Sequence, residues 1–240
     1  MEHSMTASVE LIIGQKNYSS WSLRPWLFLK EVGIPFTERR VCVSGCGFNP
    51  CTHGSYSPSG VVPALHGADG LRVWESLAII EWAAEQPGVR AWPSDPCARA
   101  LSRSLAAEMH SGFAAVRAAM PCNIKMMMKG AVPLVLDAAT SAQLARLEEA
   151  WGGARRTWGA ASGEGPYLFG AFGAVDAMFA PVAFRLKTYC IALNDADAAA
   201  YVAALLANEN MRLWEREALV EGDAIAHYDA QAIALGCERR

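Results

Sequence analysis

Apolar residues in the first third of the chain recur at two different spacings. Residues 9–13 form a compact β-prone run that Gly14 stops, and residues 21–32 repeat apolar side chains at helical spacing. Residues 36–43 show a weak alternation of apolar and polar side chains, which predicts a second strand. Two further short extended pieces flank the turn at 67–70, and an amphipathic helix is predicted over 75–86. This order of elements predicts a small α/β domain over residues 9–87.

The second part of the chain has a different pattern. Residues 88–97 are rich in proline and predict a linker. Beyond it, apolar residues follow the helical period almost throughout, so residues 98–240 are predicted to form an all-helical domain. The predicted helices are 99–119, 134–158, 175–192, 198–207 and 210–220.

Composition excludes several classes of protein. The chain has 240 residues, of which 52% are apolar and 19% charged, and this is too apolar for a disordered protein. Its net charge is −3, so the chain lacks the excess of positive charge that is typical of proteins that bind nucleic acid. No apolar run reaches the roughly 18 residues of a membrane-spanning helix. Residues 1–8 lack the pattern of a secretory signal, and seven scattered cysteines suit a reducing compartment, so a cytoplasmic location is expected.

Three hydroxyl side chains stand between the first predicted strand and helix. Ser19, Ser20 and Ser22 can each cap the helix, and Pro25 is tolerated if it falls in the first helical turn. The same place suits a bound anion, because free N–H groups and the positive end of the helix dipole meet there. A thiolate is one such anion, since donors that stabilise it lower a thiol pKa of ~8.5.

The chain also resembles a known family. Residues 17–27 and 33–36 are similar to the first strand–helix unit of cytosolic glutathione transferases, closest to bacterial serine-type and zeta-like members. Residues 56–65 and 74–79 resemble the Val-Pro and Glu-Ser signatures of that family. Residues 168–177 resemble its helix-capping motif, in which Gly173 takes the N-cap place and Asp176 the third helical place, a structural role.

The resemblance implies a thioredoxin-like N-terminal domain followed by an all-α domain, in a homodimer. It implies glutathione as co-substrate, no metal, a small hydrophobic electrophile as second substrate, and a role in detoxification. Ser19 would donate a hydrogen bond to the glutathione sulfur, with Ser20 and Ser22 as competitors. Trp21, among the residues expected to bind glutathione, stands where zeta-like members often carry cysteine, which argues against redox chemistry there.

Four further residues are assigned to glutathione by the resemblance. The backbone of Val62 would pair with the cysteinyl unit, and Pro63 would be a cis-proline. Glu75 and Ser76 would hold the γ-glutamyl end through the ammonium and the carboxylate. The alternative is that Glu75 and Ser76 only begin a helix.

The electrophile pocket is expected on the first helix after the linker. His110, Phe113 and Arg117 would line it, with Arg117 attracting an acidic substrate. The alternative is that Met109 and Phe113 belong to the core and Arg117 is solvated.

Two features depart from the family pattern. Val61 stands where relatives carry a basic or amide residue for the glycyl carboxylate, so this contact must come from elsewhere, for example His53 or a backbone group. Cys42, Cys46 and Cys51 lie close to His53 and could form a zinc site or a redox-sensitive loop. Their irregular spacing favours an ordinary glycine-rich loop.

Three functions remain open from the sequence. The first is a glutathione transferase in which Ser19 activates the thiolate for attack on an electrophile. The second is a zeta-like, glutathione-dependent cis–trans isomerase of an unsaturated diacid, against which Trp21 argues. The third is a relative that binds thiols or other ligands without turnover, an alternative that Val61 supports.

Overall fold

A four-stranded mixed sheet forms the centre of the N-terminal region in the computed structural model, which describes residues 9–41, 56–129 and 134–240. The order of its strands is β2-β1-β3-β4, with β1 and β2 parallel and the other pairs antiparallel. Because β1 is central, its side chains are nearly all buried. The strands are β1 (Val9–Ile13), β2 (Phe36–Arg40), β3 (Ala64–His66) and β4 (Arg72–Trp74).

Helices cover this sheet and make up most of the C-terminal region. A π-helical turn, Arg155–Gly159, and one further turn, Ala160–Ser162, extend the fifth of them. The helices are α1 (Ser20–Glu31), α2 (Ser76–Ala84), α3 (Pro96–Ser111), α4 (Ala114–Ala119), α5 (Ala138–Ala154), α6 (Ala174–Thr188), α7 (Ala196–Ala207), α8 (Glu209–Val220) and α9 (Ala226–Ala234).

Helix α6 is the centre of the core and is buried on nearly every side. Helices α1 and α3 both pack against it, so the sheet and the helical region share one apolar core. The two oxygens of Asp176 accept from the N–H groups of Gly173 at 2.8 Å and Leu168 at 3.2 Å. The predicted structural role of Asp176 is therefore confirmed.

The predicted fold class, an α/β thioredoxin-like unit followed by a helical region, is confirmed. The continuous helix predicted over 99–119 is wrong, because Phe113 adopts a left-handed conformation (φ 59°) that separates α3 from α4. Pro25 lies inside α1, beyond its first turn, because α1 begins at Ser20. No helix of the described residues is long and apolar enough to cross a membrane.

The sequence pattern missed one small sheet and one helix. Strands β5 (Met126–Met128) and β6 (Cys237–Arg239) pair in antiparallel fashion within the otherwise helical region, and α9 precedes β6. The two strands are more than a hundred residues apart and only three residues long each, so neither gives a local signal.

Candidate active site

The loop between β1 and α1, residues 14–19, is fixed by a buried asparagine. The side-chain oxygen of Asn17 accepts from the N–H of Lys125 at 2.8 Å, and its side-chain nitrogen donates to Asn123 Oδ1 at 2.9 Å. The carbonyl of Asn17 accepts from the N–H of Ile124 at 3.2 Å. The loop is therefore attached to the segment that leads into β5.

A carboxylate at the end of α8 holds the same loop from the other side. Glu221 accepts from the main-chain N–H groups of Lys16 at 2.8 Å and Asn17 at 3.0 Å. Arg40 donates to the same carboxylate at 3.1 Å, and the indole of Trp214 donates to the carbonyl of Lys16 at 3.0 Å. These bonds fix the backbone direction from which α1 starts.

Ser19 caps the N-terminus of α1. Its Oγ accepts from the N–H of Ser22 at 3.3 Å and donates to Ser22 Oγ at 2.7 Å. Ser22 Oγ in turn accepts from the N–H of Gly14 at 3.1 Å. A Cβ at Gly14 would lie 3.2 Å from both Ser19 Cβ and Val62 Cγ2, so these two predicted site residues meet across this glycine.

The hydroxyl of Ser20 has different neighbours from that of Ser19. Ser20 is buried, and its Oγ lies 3.4 Å from Nη2 of Arg185 on α6. The two serines predicted as catalytic alternatives thus differ in surroundings: Ser19 borders Val62, and Ser20 faces the interior.

The remaining predicted glutathione residues lie on the β3 side and at the start of α2. The Val62–Pro63 peptide bond is cis, as predicted, while the side chain of Val61 is exposed. Glu75 caps α2 with a positive φ of 83° and accepts from the N–H of Ser76 at 3.2 Å. Ser76 is buried, and its Oγ has no hydrogen-bond partner among the described residues.

The predicted pocket residues are placed around the ring of Trp21. His110 meets this ring edge to face, with centroids 5.4 Å apart, and its Nε2 lies 3.5 Å from Glu75 Oε2. The guanidinium of Arg117 lies 4.7 Å from the centre of the same ring. The structure thus brings Trp21, His110, Arg117 and Glu75 together, whereas Phe113 is buried in the core together with Met109.

Arg117 also closes the C-terminal end of α3. Its Nε donates to the carbonyl of Gly112 at 3.1 Å, and its Nη2 donates to the carbonyls of Met109 and His110. Burial lowers the pKa of Arg117 to about 10, with a smaller contribution from the nearby charge of Arg185. The side chain of Arg117 is partly buried, so the alternative of a fully solvated Arg117 is wrong.

The cysteine-rich segment lies outside the described residues. Cys42, Cys46, Cys51 and His53 all fall there, so the zinc, redox and loop alternatives remain untested, as does His53 as a partner for the glycyl carboxylate. Within the described ranges, no group of three metal-ligating side chains comes together.

Comparisons with known proteins identify a matching domain model and similar folds. Residues 18–86 match the family model described as "Glutathione S-transferase, N-terminal domain". A glutathione transferase homolog from Burkholderia gl BGR1, solved with bound glutathione, superposes with a TM-score of 0.61 at 21% identity, over 89% of this chain and 98% of the other. The chain has the glutathione transferase fold.

Two other solved glutathione transferases share this fold. The theta class enzyme from Xanthomonas axonopodis pv. citri, with glutathione bound, has a TM-score of 0.58 and 24% identity, over 90% of this chain and 99% of the other. Glutathione transferase Omega 2C from Trametes versicolor has a TM-score of 0.65 and 16% identity, over 95% of this chain and 99% of the other. No curated protein sequence matches the chain.

Within this glutathione transferase fold, several residues that hold the site give no signal in the sequence pattern. Asn17 and Arg24 were inside the segment that carried the resemblance, but nothing local showed that Asn17 would bond across the molecule. Glu221 and Arg185 are close to the site only because of the tertiary fold. A buried polar residue in an apolar helical pattern, as at Arg185, was the one available signal.

Proposed function

We propose that this protein is a glutathione transferase in which Ser19 stabilises the thiolate of glutathione. The observation that supports it best is the position of Ser19: its hydroxyl caps α1, and its Cβ lies close to Gly14, as does Cγ2 of Val62. A thiol bound at the Ser19 hydroxyl would contact a hydrogen-bond donor and the positive end of α1 together, and both favour the anion.

The hydroxyl network supports a donor role for Ser19. Ser22 Oγ already accepts from Gly14, so it can donate its own proton to Ser19 when a sulfur is bound. Ser19 Oγ then directs its proton to the sulfur. Ser20 is the less suitable donor, because its hydroxyl is buried against Arg185.

The peptide portion of glutathione would lie along Val62 and the start of α2. Main-chain groups of Val62 would pair with the cysteinyl unit, as a peptide pairs with a strand edge. Ser76 is a ready donor for the γ-glutamyl carboxylate, since its buried Oγ has no partner in the described parts of the chain. Glu75, half-exposed beside it, would bind the ammonium.

The reaction is a nucleophilic substitution at an electrophilic carbon. The thiol proton leaves to solvent, the thiolate forms the new carbon–sulfur bond, and the leaving group departs with the electron pair of the broken bond. Positioning and stabilisation of the anion supply the rate enhancement. This reaction needs no metal ion.

Further proposals complete this function. We propose a homodimer in the cytoplasm, acting in detoxification, with a glutathione-binding domain over 9–87, a linker over 88–97 and a pocket domain over 98–240. A bacterial serine-type, zeta-like subtype is also proposed, on the Ser19 to Ser22 segment. Isomerisation of an unsaturated diacid is the alternative reaction, and turnover of such a diacid compared with an aryl halide separates the two.

Glutathione titration tests the role of Ser19. Binding heat and thiolate absorbance are measured together in the wild type, in Ser19→Ala and in Ser20→Ala, with Ser104→Ala as the control, an exposed serine that bonds only within α3. We expect wild type and control to lower the thiol pKa of bound glutathione below ~8.5. Ser19→Ala should bind but leave that pKa near its free value.

Other results would count against the proposal. Binding without any change in thiol ionisation in the wild type would indicate a ligand-binding relative of the fold without turnover. Absence of binding would contradict the choice of glutathione. Loss of the pKa shift in Ser20→Ala alone would transfer the donor role to Ser20.

A further inference from the structure

Three arginines from three different helices lie close to one another, and two of them contact the ring of Trp21. Arg24 comes from α1, Arg117 from α4 and Arg185 from α6. The guanidinium of Arg24 lies 4.2 Å from the centre of the Trp21 ring, and that of Arg117 lies 4.7 Å from it. Arg24 and Arg185 are buried, whereas Arg117 is only partly covered. We call these three residues the arginine cluster.

No carboxylate forms an ion pair with the arginine cluster in the described parts of the chain. Arg24 donates from Nε to the carbonyl of Met178 at 3.0 Å, and its Nη1 is buried without a partner. Arg185 donates to the carbonyl of Met120 and lies near Ser20 Oγ. Main-chain carbonyls satisfy some of these donors, but they supply no negative charge.

The cluster places like charges close together with little exposure to solvent. Burial lowers the pKa of Arg24 well below its usual range, and the charges of Arg117 and Arg185 lower it further. Burial also lowers the pKa of Arg185. Glu75 is the acidic group that opposes this effect at Arg24. Because like charges in a poorly solvated site repel strongly, a bound anion would relieve the repulsion.

Arg117 is the member of the cluster that a ligand can reach. Its Nε and Nη2 bind main-chain carbonyls, and Nη1 has no hydrogen-bond partner among the described residues. Trp21, beside it, is also only partly buried, so the apolar body of a substrate can pack against the exposed part of this side chain. Trp21 is two residues from Ser19, which places this surface within reach of the proposed sulfur position.

We propose that the second substrate of this site is an electrophile that carries a carboxylate, which Arg117 binds directly beside Trp21. This inference rests on the proposed function and names the substrate class for the same site. Arg24 and Arg185 are positioning residues that act through their field and do not touch the substrate. Glu75 would be occupied by the glutathione ammonium, so it would not repel the second anion.

A matched pair of electrophiles tests the substrate class. Chloronitrobenzoate and its methyl ester present the same reactive carbon, where the thiolate forms the carbon–sulfur bond and chloride leaves. We compare wild type, Arg117→Met and Arg103→Met. Arg103 is the control because it also stacks on a tryptophan, Trp92, at 5.5 Å, but lies on the outer face of α3.

The expected result is a loss confined to the charged substrate. The wild type should prefer the acid to the ester, and Arg117→Met should lower kcat/KM for the acid by roughly 10- to 100-fold. The loss for the ester should be at least about fivefold smaller, because the ester has no charge for Arg117 to bind, whereas any effect of the substitution on the end of α3 falls on both substrates alike. Arg103→Met should match the wild type with both substrates.

Binding of the unreactive nitrobenzoate is measured by calorimetry, with and without glutathione, so that the test does not depend on turnover. If no conjugation occurs but nitrobenzoate binds and Arg117→Met weakens it, the proposed function fails and the anion site stands. If Arg117→Met does not fold, Arg117→Lys replaces it and should show a smaller loss with the same selectivity for the acid.

Three outcomes would overturn the proposal. The first is equal kcat/KM for acid and ester in the wild type. The second is an equal loss for both substrates in Arg117→Met, which would assign Arg117 to closing α3. The third is a rise in KM for glutathione alone, which would assign the arginine cluster to the co-substrate.

Discussion

Two adjacent glycines in α5 have opposite surroundings and give a controlled test of the helix packing. A Cβ at Gly152 would lie 2.6 Å from Asp195 Oδ1, whereas a Cβ at Gly153 would meet no atom within 4 Å. Asp195 cannot move freely, because it caps α7 by accepting from Asp197 N–H at 2.9 Å and Ala198 N–H at 3.0 Å.

The two substitutions should therefore change stability in opposite directions. Alanine is favoured over glycine inside a helix by about 1 kcal/mol, so Gly153→Ala should raise the free energy of unfolding by about 0.5–1 kcal/mol. Gly152→Ala gains the same term but displaces the cap of α7, which costs about 1–2 kcal/mol, and crowds the contact by a further ~1–3 kcal/mol. Its net effect should be a loss of about 1–4.5 kcal/mol.

Urea unfolding followed by circular dichroism measures both variants. Asp195→Ala supplies a third arm: in that background Gly152→Ala should no longer destabilise, since the atoms it meets have been removed. Equal shifts in Gly152→Ala and Gly153→Ala would refute the reasoning, as would an unchanged effect of Gly152→Ala in the Asp195→Ala background.

The other predictions concern Asp176 and Asn17. Asp176→Ala leaves the N–H groups of Gly173 and Leu168 without their acceptor and should lower the free energy of unfolding by about 2–4 kcal/mol; a loss under about 1 kcal/mol in urea would contradict it. Burial raises the pKa of Asp176 to about 7. In the unfolded chain the pKa of this carboxyl is ~3.9, so protonated Asp176 contributes its full stabilisation below that pH and loses it as the pH rises to about 7. The free energies of unfolding of the wild type and of Asp176→Asn should therefore diverge by about 2–3 kcal/mol between about pH 5 and pH 7.5. Parallel pH profiles of the two proteins would exclude this. Asn17→Ala should weaken glutathione binding at least ~10-fold by releasing the loop before Ser19, and a binding constant equal to that of the wild type would show that the loop does not need it.

The sequence predicted those parts of the fold that have a local cause. Val9–Ile13 and Ser20–Glu31 form their elements through spacing and a capping serine. The break between α3 and α4 was missed because Phe113 adopts its positive φ under tertiary packing, which no periodicity reports. Strands β5 and β6 were missed because three-residue strands depend entirely on a distant partner.

The candidate site divides in the same way. Three of its residues lie at the ends of helices or strands, where amino acids typical of caps and turns can be recognised in the sequence: Ser19, Val62 and Glu75. Arg24 and Arg185 do not, because a helical arginine is ordinarily a solvated residue, and only the packing of α1 against α6 buries both. The surroundings of Ser20 were likewise decided by which face of α1 meets α6.

The bond between Glu221 and the loop before Ser19 has a consequence for the order in which the chain becomes structured. Glu221 is 205 residues from Lys16 and 204 residues from Asn17 along the chain. Contacts of such long sequence separation form late, because their loop must close first. During synthesis the sheet can assemble early, but the main-chain N–H groups before Ser19 remain without this acceptor until α8 has left the ribosome. A nascent chain arrested before Glu221 would therefore carry every predicted glutathione residue and still lack one of the contacts that fix Ser19.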